Sequence, residues 1–276
     1  MKRYLLLLPL VLTSCLEVRD VITPGDKPVI EAYLAPGNPV SMKIYTETPY
    51  SETDSVYAEP VTGLTVTLTG SNGQHIVLTD NHDGTYTSSE RLGEAGLTYA
   101  MSFQHKGRTV SAETTLPEKP QGFHMDTTVV YRVYRNITGS FLPGQGGFEQ
   151  EEPVDINLSW QNPDQVYHFV SALVLDENAS QIVTRTGDNS FFQPPGRRFN
   201  NEPVQGESAV ISSQSFEYFG RHAIILYKLN PDYAALYQNQ SSTSQNISTP
   251  VSTITNGLGI FTGINADTLI LTVKRK

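Results

Sequence analysis

Leu64-Thr65-Val66-Thr67-Leu68-Thr69 alternates apolar and polar residues without a break. Successive side chains of an extended strand point to opposite faces, so one face of this hexapeptide is buried and the other wetted. A helix would scatter the same residues around its axis. Threonine-rich extended runs recur along the chain, and valine, tyrosine and threonine fit a pleated, half-buried surface. An all-β fold follows. Asp83-Gly84, set between HIVLT and TYTSS, is a two-residue hairpin signal, because a type I′ turn needs positive φ at both positions. A calcium loop at Asp80-Asn81-His82-Asp83 is the alternative, but the alternating-acid spacing of such loops is missing. Gly96 and Gly107 bracket LTYAMSFQHK. Residues 29–118 are therefore expected to form a small antiparallel β-sandwich.

Pro117 and Pro120, in LPEKPQGF, interrupt the pattern, and a hinge is expected near Pro117 to Gly122. Strands resume at Met125 to Arg135 and continue in VDINLSW, VYHFVSALVLD, SAVISSQSF, RHAIILYKL and DTLILTVK. Residues 119–276 are expected to form a second antiparallel β-sandwich with one short helix. Asn230 suits the cap of that helix, Pro231 its first position and Asp232 its dipole, while Tyr233, Leu236 and Tyr237 share a face read as core packing.

Cys15 is the only cysteine of 276 residues and closes the stretch MKRYLLLLPLVLTSC. Lys2 and Arg3 form a positive n-region, and Tyr4 to Leu12 an apolar run too short to span a bilayer, so residues 1–14 read as an export signal. Leu12-Thr13-Ser14-Cys15 looks like the bacterial lipobox, in which the cysteine sulfur takes a diacylglyceryl group and the new amine is acylated. Two or more acyl chains, at about 0.8 kcal/mol per buried methylene, make such an anchor effectively permanent. Residues 15–28, polar and broken by Pro24, Gly25 and Pro28, read as a tether that reaches roughly 40 Å when extended. Removing the signal takes two bases and no acids, leaving 19 − 2 = 17 basic against 28 acidic residues, or −11. A nucleic-acid partner is excluded on that charge. A single cysteine also excludes internal disulfides and cysteine-based zinc sites.

No Gly-x-Ser-x-Gly elbow, His-Glu-x-x-His or phosphate-binding loop occurs. His75, His82, His105, His124, His168 and His222 show no metal-ligand spacing, and the last two lie within strand patterns as packing or surface residues. Glu149, Glu151 and Glu152 in FEQEEP would assist a cation or acid-base chemistry, or form a solvated loop. Gly257 and Gly259 in NGLGIF match part of a dinucleotide fingerprint; with no helix following, a tight turn entering a strand is the reading. No catalytic residue, metal or cofactor is expected.

PVIEAYLAPGNPVSMKI, LTVTLTGSNGQ, GTYTSSERLGEAGLTYAMSFQHKGRTVSAETTLPEKP and above all NISTPVSTITNGLGIFTG resemble the Bacteroidota lipoprotein family catalogued as domain of unknown function 4249. The most specific part is Asn256 to Phe261. The resemblance implies an outer-membrane lipoprotein with an immunoglobulin-like or transthyretin-like first domain, commonly encoded near TonB-dependent transporters, and brings no catalytic residues. It also implies a phylum that glycosylates exported proteins at Asp-Ser/Thr sites. Asp54-Ser55-Val56, Asp126-Thr127-Thr128 and Asp267-Thr268-Leu269 are similar to that pattern, which makes Ser55 and Thr127 the candidate acceptors.

Three functions are weighed. An accessory or ligand-binding lipoprotein serving an outer-membrane transporter ranks first, a surface adhesin or structural subunit second, and a hydrolase with an unfamiliar site third. A binding module places aromatics and planar donors on loops of a rigid scaffold, and the second domain offers Phe148 in LPGQGGFEQEE and Phe191, Phe192, Arg197, Arg198 and Phe199 in SFFQPPGRRFN. The competing reading is that the phenylalanines pin long loops to the sandwich. Arg197, Arg198 and Phe199 are the first expected partner contact, because arginine and aromatic residues are enriched in interface cores.

Overall fold

The structure is a computed structural model that describes residues 27–47, 58–138, 151–186, 196–238 and 252–276. The first half contributes strands β1 (Pro28–Leu34), β2 (Pro39–Thr46), β3 (Thr67–Gly70), β4 (His75–Val77), β5 (Thr79–Asp80), β6 (Thr85–Arg91), β7 (Thr98–His105) and β8 (Arg108–Thr115). The second contributes β9 (Gln121–Met125), β10 (Val129–Arg132), β11 (Arg135–Thr138), β12 (Asp155–Gln161), β13 (His168–Val174), β14 (Val183–Thr186), β15 (Arg198–Asn200), β16 (Ser208–Ser212), β17 (Gly220–Leu229), helix α1 (Pro231–Gln238) and β18 (Leu258–Arg275). The fold is all-β, sandwich-like and largely antiparallel, as the alternating pattern requires.

Two cores are built by that alternation. In the first, Val66 and Leu68 point inward with Ile30, Met42, Ile44, Tyr86, Tyr99 and Met101, between the sheet β4-β3-β7-β8 and the strands β1, β2, β6 and β5. The turn at Asp83-Gly84 lies where expected, with Gly84 at φ 83° and His82 at φ 61°. Asp80 spends its carboxylate on the N–H groups of Gly63 (2.6 Å) and His82 (2.8 Å), which hold it below the usual carboxylate range. Its oxygens serve the turn. In the second core, Trp160, Ile156 and Leu158 of the sheet β16-β12-β9 meet Val170, Ile224, Leu226, Leu271 and Val273 of β13, β17 and β18.

The main departure from the pattern is β18. The run DTLILTVK accounts for less than half of it; the observed strand is 18 residues long and serves both cores. Leu258 to Gly263 pair parallel with β1, Ile264 to Val273 pair antiparallel with β17, and Thr272 to Arg275 pair parallel with β10. Phe261 and Ile254 therefore belong to the first core, although the expected limits of 29–118 and 119–276 put them on the second side. One continuous nine-stranded sheet results, shared by both halves.

Helix α1 begins at Pro231 as expected, and the Asn230 carbonyl accepts the Tyr233 and Ala234 N–H groups. The Asn230 side-chain amide donates to Thr114 Oγ1 (3.0 Å) and Thr115 O (2.9 Å), tying the start of the helix to β8. Tyr233 packs edge-on to Tyr33 at 5.5 Å, and the side chains of Leu236 and Tyr237 lie outside the described residues. No helix among the described residues is long and apolar enough to cross a membrane.

Candidate binding cleft

Beyond Met125 the chain leaves the sheet β16-β12-β9 and crosses to β18, and the two sheets diverge there. The strands expected to resume at Met125 to Arg135 are here β9, β10 and β11. Asp126 holds the near end of the fork, accepting the Asn157 N–H (3.1 Å) and side-chain amide (2.6 Å), and these bonds keep its carboxyl below the usual range. Between β10 and the segment Glu151–Val154 a cavity of about 740 Å³ opens, lined by Val129, Val130, Tyr131, Val133, Glu151, Glu152, Val154 and Lys276. Tyr131, Val133 and Val154 are 55%, 37% and 51% exposed, three large apolar side chains on one opening that contribute nothing to either core.

Beneath that opening sits a buried ion pair. Arg132 Nε donates to Glu151 Oε2 at 3.0 Å, with both side chains 9% exposed. The guanidinium also donates to Ser213 O (2.5 Å) and Phe216 O (3.1 Å), and Glu151 Oε1 accepts the Val133 N–H at 3.1 Å. Arg132 Nε and Nη1 and both Glu151 carboxylate oxygens are thus partnered, as a buried charge pair requires. Glu151 is thus neither a metal ligand nor part of a solvated loop, and no cluster able to hold a metal ion occurs among the described residues. A second cavity of about 600 Å³ adjoins the first through Glu151 and Glu152 and carries Arg135, Gln214 and Glu217 on its walls.

The loop residues singled out from sequence fall elsewhere. Phe199, on β15, packs edge-on against Phe216 at 5.5 Å and belongs to the second core, so this ring pins its strand. Arg197 donates to the main-chain oxygens of Asp176 and Glu177 and lies 5.4 Å over the Tyr218 ring. Arg198 is exposed. Cys15, Ser55, Phe148, Phe191 and Phe192 lie outside the described residues. Thr127 is half-buried, and its hydroxyl is engaged with the main chain of Val129. His168 and His222 are both buried, against Trp160 and Phe216 respectively.

Residues 17–270 match the family model described as "Domain of unknown function (DUF4249)". The chain belongs to the DUF4249 family. No curated protein matches the sequence. Among solved structures, the adhesin InvE of Yersinia pseudotuberculosis is similar at 12% identity and a TM-score of 0.21, over 89% of this chain and 58% of that one. A likeness at that level supports no argument about fold or function.

The stretch of this DUF4249 chain that most resembles the family, Asn256 to Phe261, proves to be the joint between β18 and the first core. Asn256 turns at φ 56°, and its side chain donates to Thr109 O at 2.9 Å. A Cβ on Gly257 would lie 2.7 Å from Ile254 Cγ2 and 2.9 Å from Ile30 Cδ1. Phe261 is fully buried. These residues are packing residues. The cleft residues were missed because no motif marks them; the available signal was Tyr131 and Val133 as apolar positions on the side of a strand opposite Val130 and Arg132.

Proposed function

We propose that this protein is a lipid-anchored accessory or ligand-binding module of the bacterial outer membrane, serving a TonB-dependent transporter. The observation that carries the binding part is the cleft with Tyr131, Val133 and Val154 exposed around a fixed ion pair. Concave sites lined by apolar side chains with a few placed polar groups are where proteins hold ligands and partner segments. The lipobox-like sequence ending at Cys15 supports the anchor. The transporter rests on the genomic setting that the family resemblance implies, which is association and not mechanism.

The geometry favours a presenting role. The tether leads into β1, which runs parallel with the first third of β18, whereas the cleft sits at the last third. Fourteen residues separate Leu258 from Thr272, or roughly 45 Å at strand rise. The cleft therefore lies roughly 45 Å along β18 from the point where β1 enters the fold. Confinement to the membrane raises the effective concentration of the body near any membrane partner, so a small interface suffices. Two experiments test this reading. Cys15→Ala should abolish acyl labelling and leave the precursor uncut. Affinity purification of the tagged protein from mildly solubilised outer membranes should recover one transporter in near-stoichiometric yield; repeated purification of the protein alone contradicts the reading.

A further inference from the structure

We propose that the joint between β1 and β18 is a mechanical clamp: tension between the tether and the far end of β18 loads the β1 ladders in shear, so the body stays folded while it links a membrane to a partner that is pulled. This rests on the proposed reading that a lipid holds one end of the body and a partner the other, and it adds what the fold does between them.

Strand direction decides how a ladder takes load. β1 and β18 run parallel through six residue pairs, from Val29 with Leu258 to Leu34 with Gly263. The tether enters β1 at Pro28, beside the start of β18, whereas the cleft lies along the last third of β18. Pulling those two points apart draws β1 backward along its own axis and β18 forward. The strands are made to slide past each other, and the evenly spaced bonds of a parallel ladder share the load. Had β18 run the other way, the same two points would lie at one end of the ladder and open it one pair at a time. On its other side β1 pairs antiparallel with β2 through five residue pairs, from Pro28 with Thr46 to Ala32 with Met42, and the same pull shears that ladder as well.

Packing closes the nearest alternative register. Ile30, Ala32 and Leu34 are buried in the first core with Phe261 of β18. A slip of one residue would turn all three to the wetted face. It would also replace Gly259, whose missing Cβ makes room for the Ile30 main chain, by a residue that carries one. Nor is β18 free to follow β1, because it is tied to β8 and the segment after it on both sides of the ladder. Before the ladder, Thr255 exchanges main-chain hydrogen bonds with Ser111 (2.8 and 3.2 Å) and the Asn256 side chain donates to Thr109 O (2.9 Å). At its end, Gly263 N–H donates to Thr114 Oγ1 (2.8 Å) and the Asn265 side chain to Pro117 O (2.8 Å). Farther on, β18 has ten residue pairs with β17 and four with β10, more than β1 has with its two neighbours. β1 is therefore the element that yields first, and its joint sets the load the body withstands.

The test is single-molecule pulling on the full mature chain carrying Cys15→Ser, with handles on cysteines placed at two pairs of points. Lys27→Cys with Lys276→Cys loads the joint in shear. Lys27→Cys with Glu47→Cys puts both handles at one end of the β1–β2 hairpin and peels β1 away one pair at a time. Forced unfolding follows the barrier along the pull and not the equilibrium stability, so one fold gives two forces. The shear force should be severalfold the peeling force at equal loading rate, with the first half released before the second. Gly259→Ala, where it folds, should lower the shear force. Equal forces in the two directions overturn the proposal, and so does a first release from the second half with β1 still paired. The measurement uses neither lipid nor partner. If the forces are equal while a transporter still co-purifies, the clamp falls and the accessory-module reading stands; if the forces differ as expected while the protein purifies alone, the clamp stands and that reading falls.

Discussion

Gly259 and Ile30 approach so closely that a Cβ on the glycine would collide with the Ile30 carbonyl oxygen, and Gly259 holds φ 95°, where side chains are rarely tolerated. The contact joins β18 to β1 at the point where the C-terminal strand enters the first core. Gly259→Ala should therefore cost about 3 kcal/mol or more, since strain and a backbone clash act together. A urea titration reads this directly. Because β18 also closes the second core, the loss should appear as one cooperative shift of the whole protein.

Arg132 and Glu151 provide a second test. Removing one partner of a buried pair leaves the other charge unpaired, at a cost of about 3–5 kcal/mol. Glu151→Gln should fall in that range, because it strands the guanidinium and replaces the charged acceptor of the Val133 N–H with a neutral one. The double variant Arg132→Met, Glu151→Gln should recover part of the loss. A double-variant loss equal to the sum of the Glu151→Gln and Arg132→Met losses would mean that the pair is not coupled.

Acid sensitivity should come first from histidine. Burial pushes His168 and His222 below the ordinary value of 6.5; Lys228 lies near the first, and Asp176 and Arg197 near the second. The folded state keeps both neutral while the unfolded chain protonates them. Stability is therefore full above about pH 6.5 and falls as pH drops from there toward the folded values. The lowered carboxyls of Asp80, Asp126 and Asp176 act in a separate window, since their contribution is full above 3.8 and is lost only below it. The urea midpoint should decline between about pH 7.5 and 5.5, and His222→Leu should shrink that decline. An undiminished decline in His222→Leu would contradict this assignment for His222.

The parts of the fold written in local pattern were legible in the sequence, and those written in long-range contact were not. Val66 and Leu68 announced their burial by alternation, and Asp83-Gly84 announced its turn by φ. Asn256 to Phe261 stood out as specific, yet only the structure explains why: Gly257 and Gly259 meet Ile30, more than two hundred residues earlier in the chain. The length of β18 was hidden because Gly259, Gly263 and Asn265 break the strand pattern locally while close packing against β1 and β8 overrides that preference. The loop reading favoured Phe199 and the arginines by composition, but a ring's exposure depends on what lies opposite, and Phe216 lies opposite Phe199. The cleft escaped notice for a related reason. No motif marks its walls, and only the structure shows Lys276 beside β10 and the segment Glu151–Val154.

The most direct measurement of the central claim, that partners are taken at the far end of β18, is site-specific photo-crosslinking in intact cells. A benzophenone side chain replaces Tyr131, Arg198 or Val77 in turn, the last being an exposed residue on the edge strand β4 of the first half. The account predicts one dominant adduct from position 131, mapping to an outer-membrane protein, and none from position 77. An adduct from position 198 with none from position 131 would move the contact to the loop before β15 and contradict the cleft.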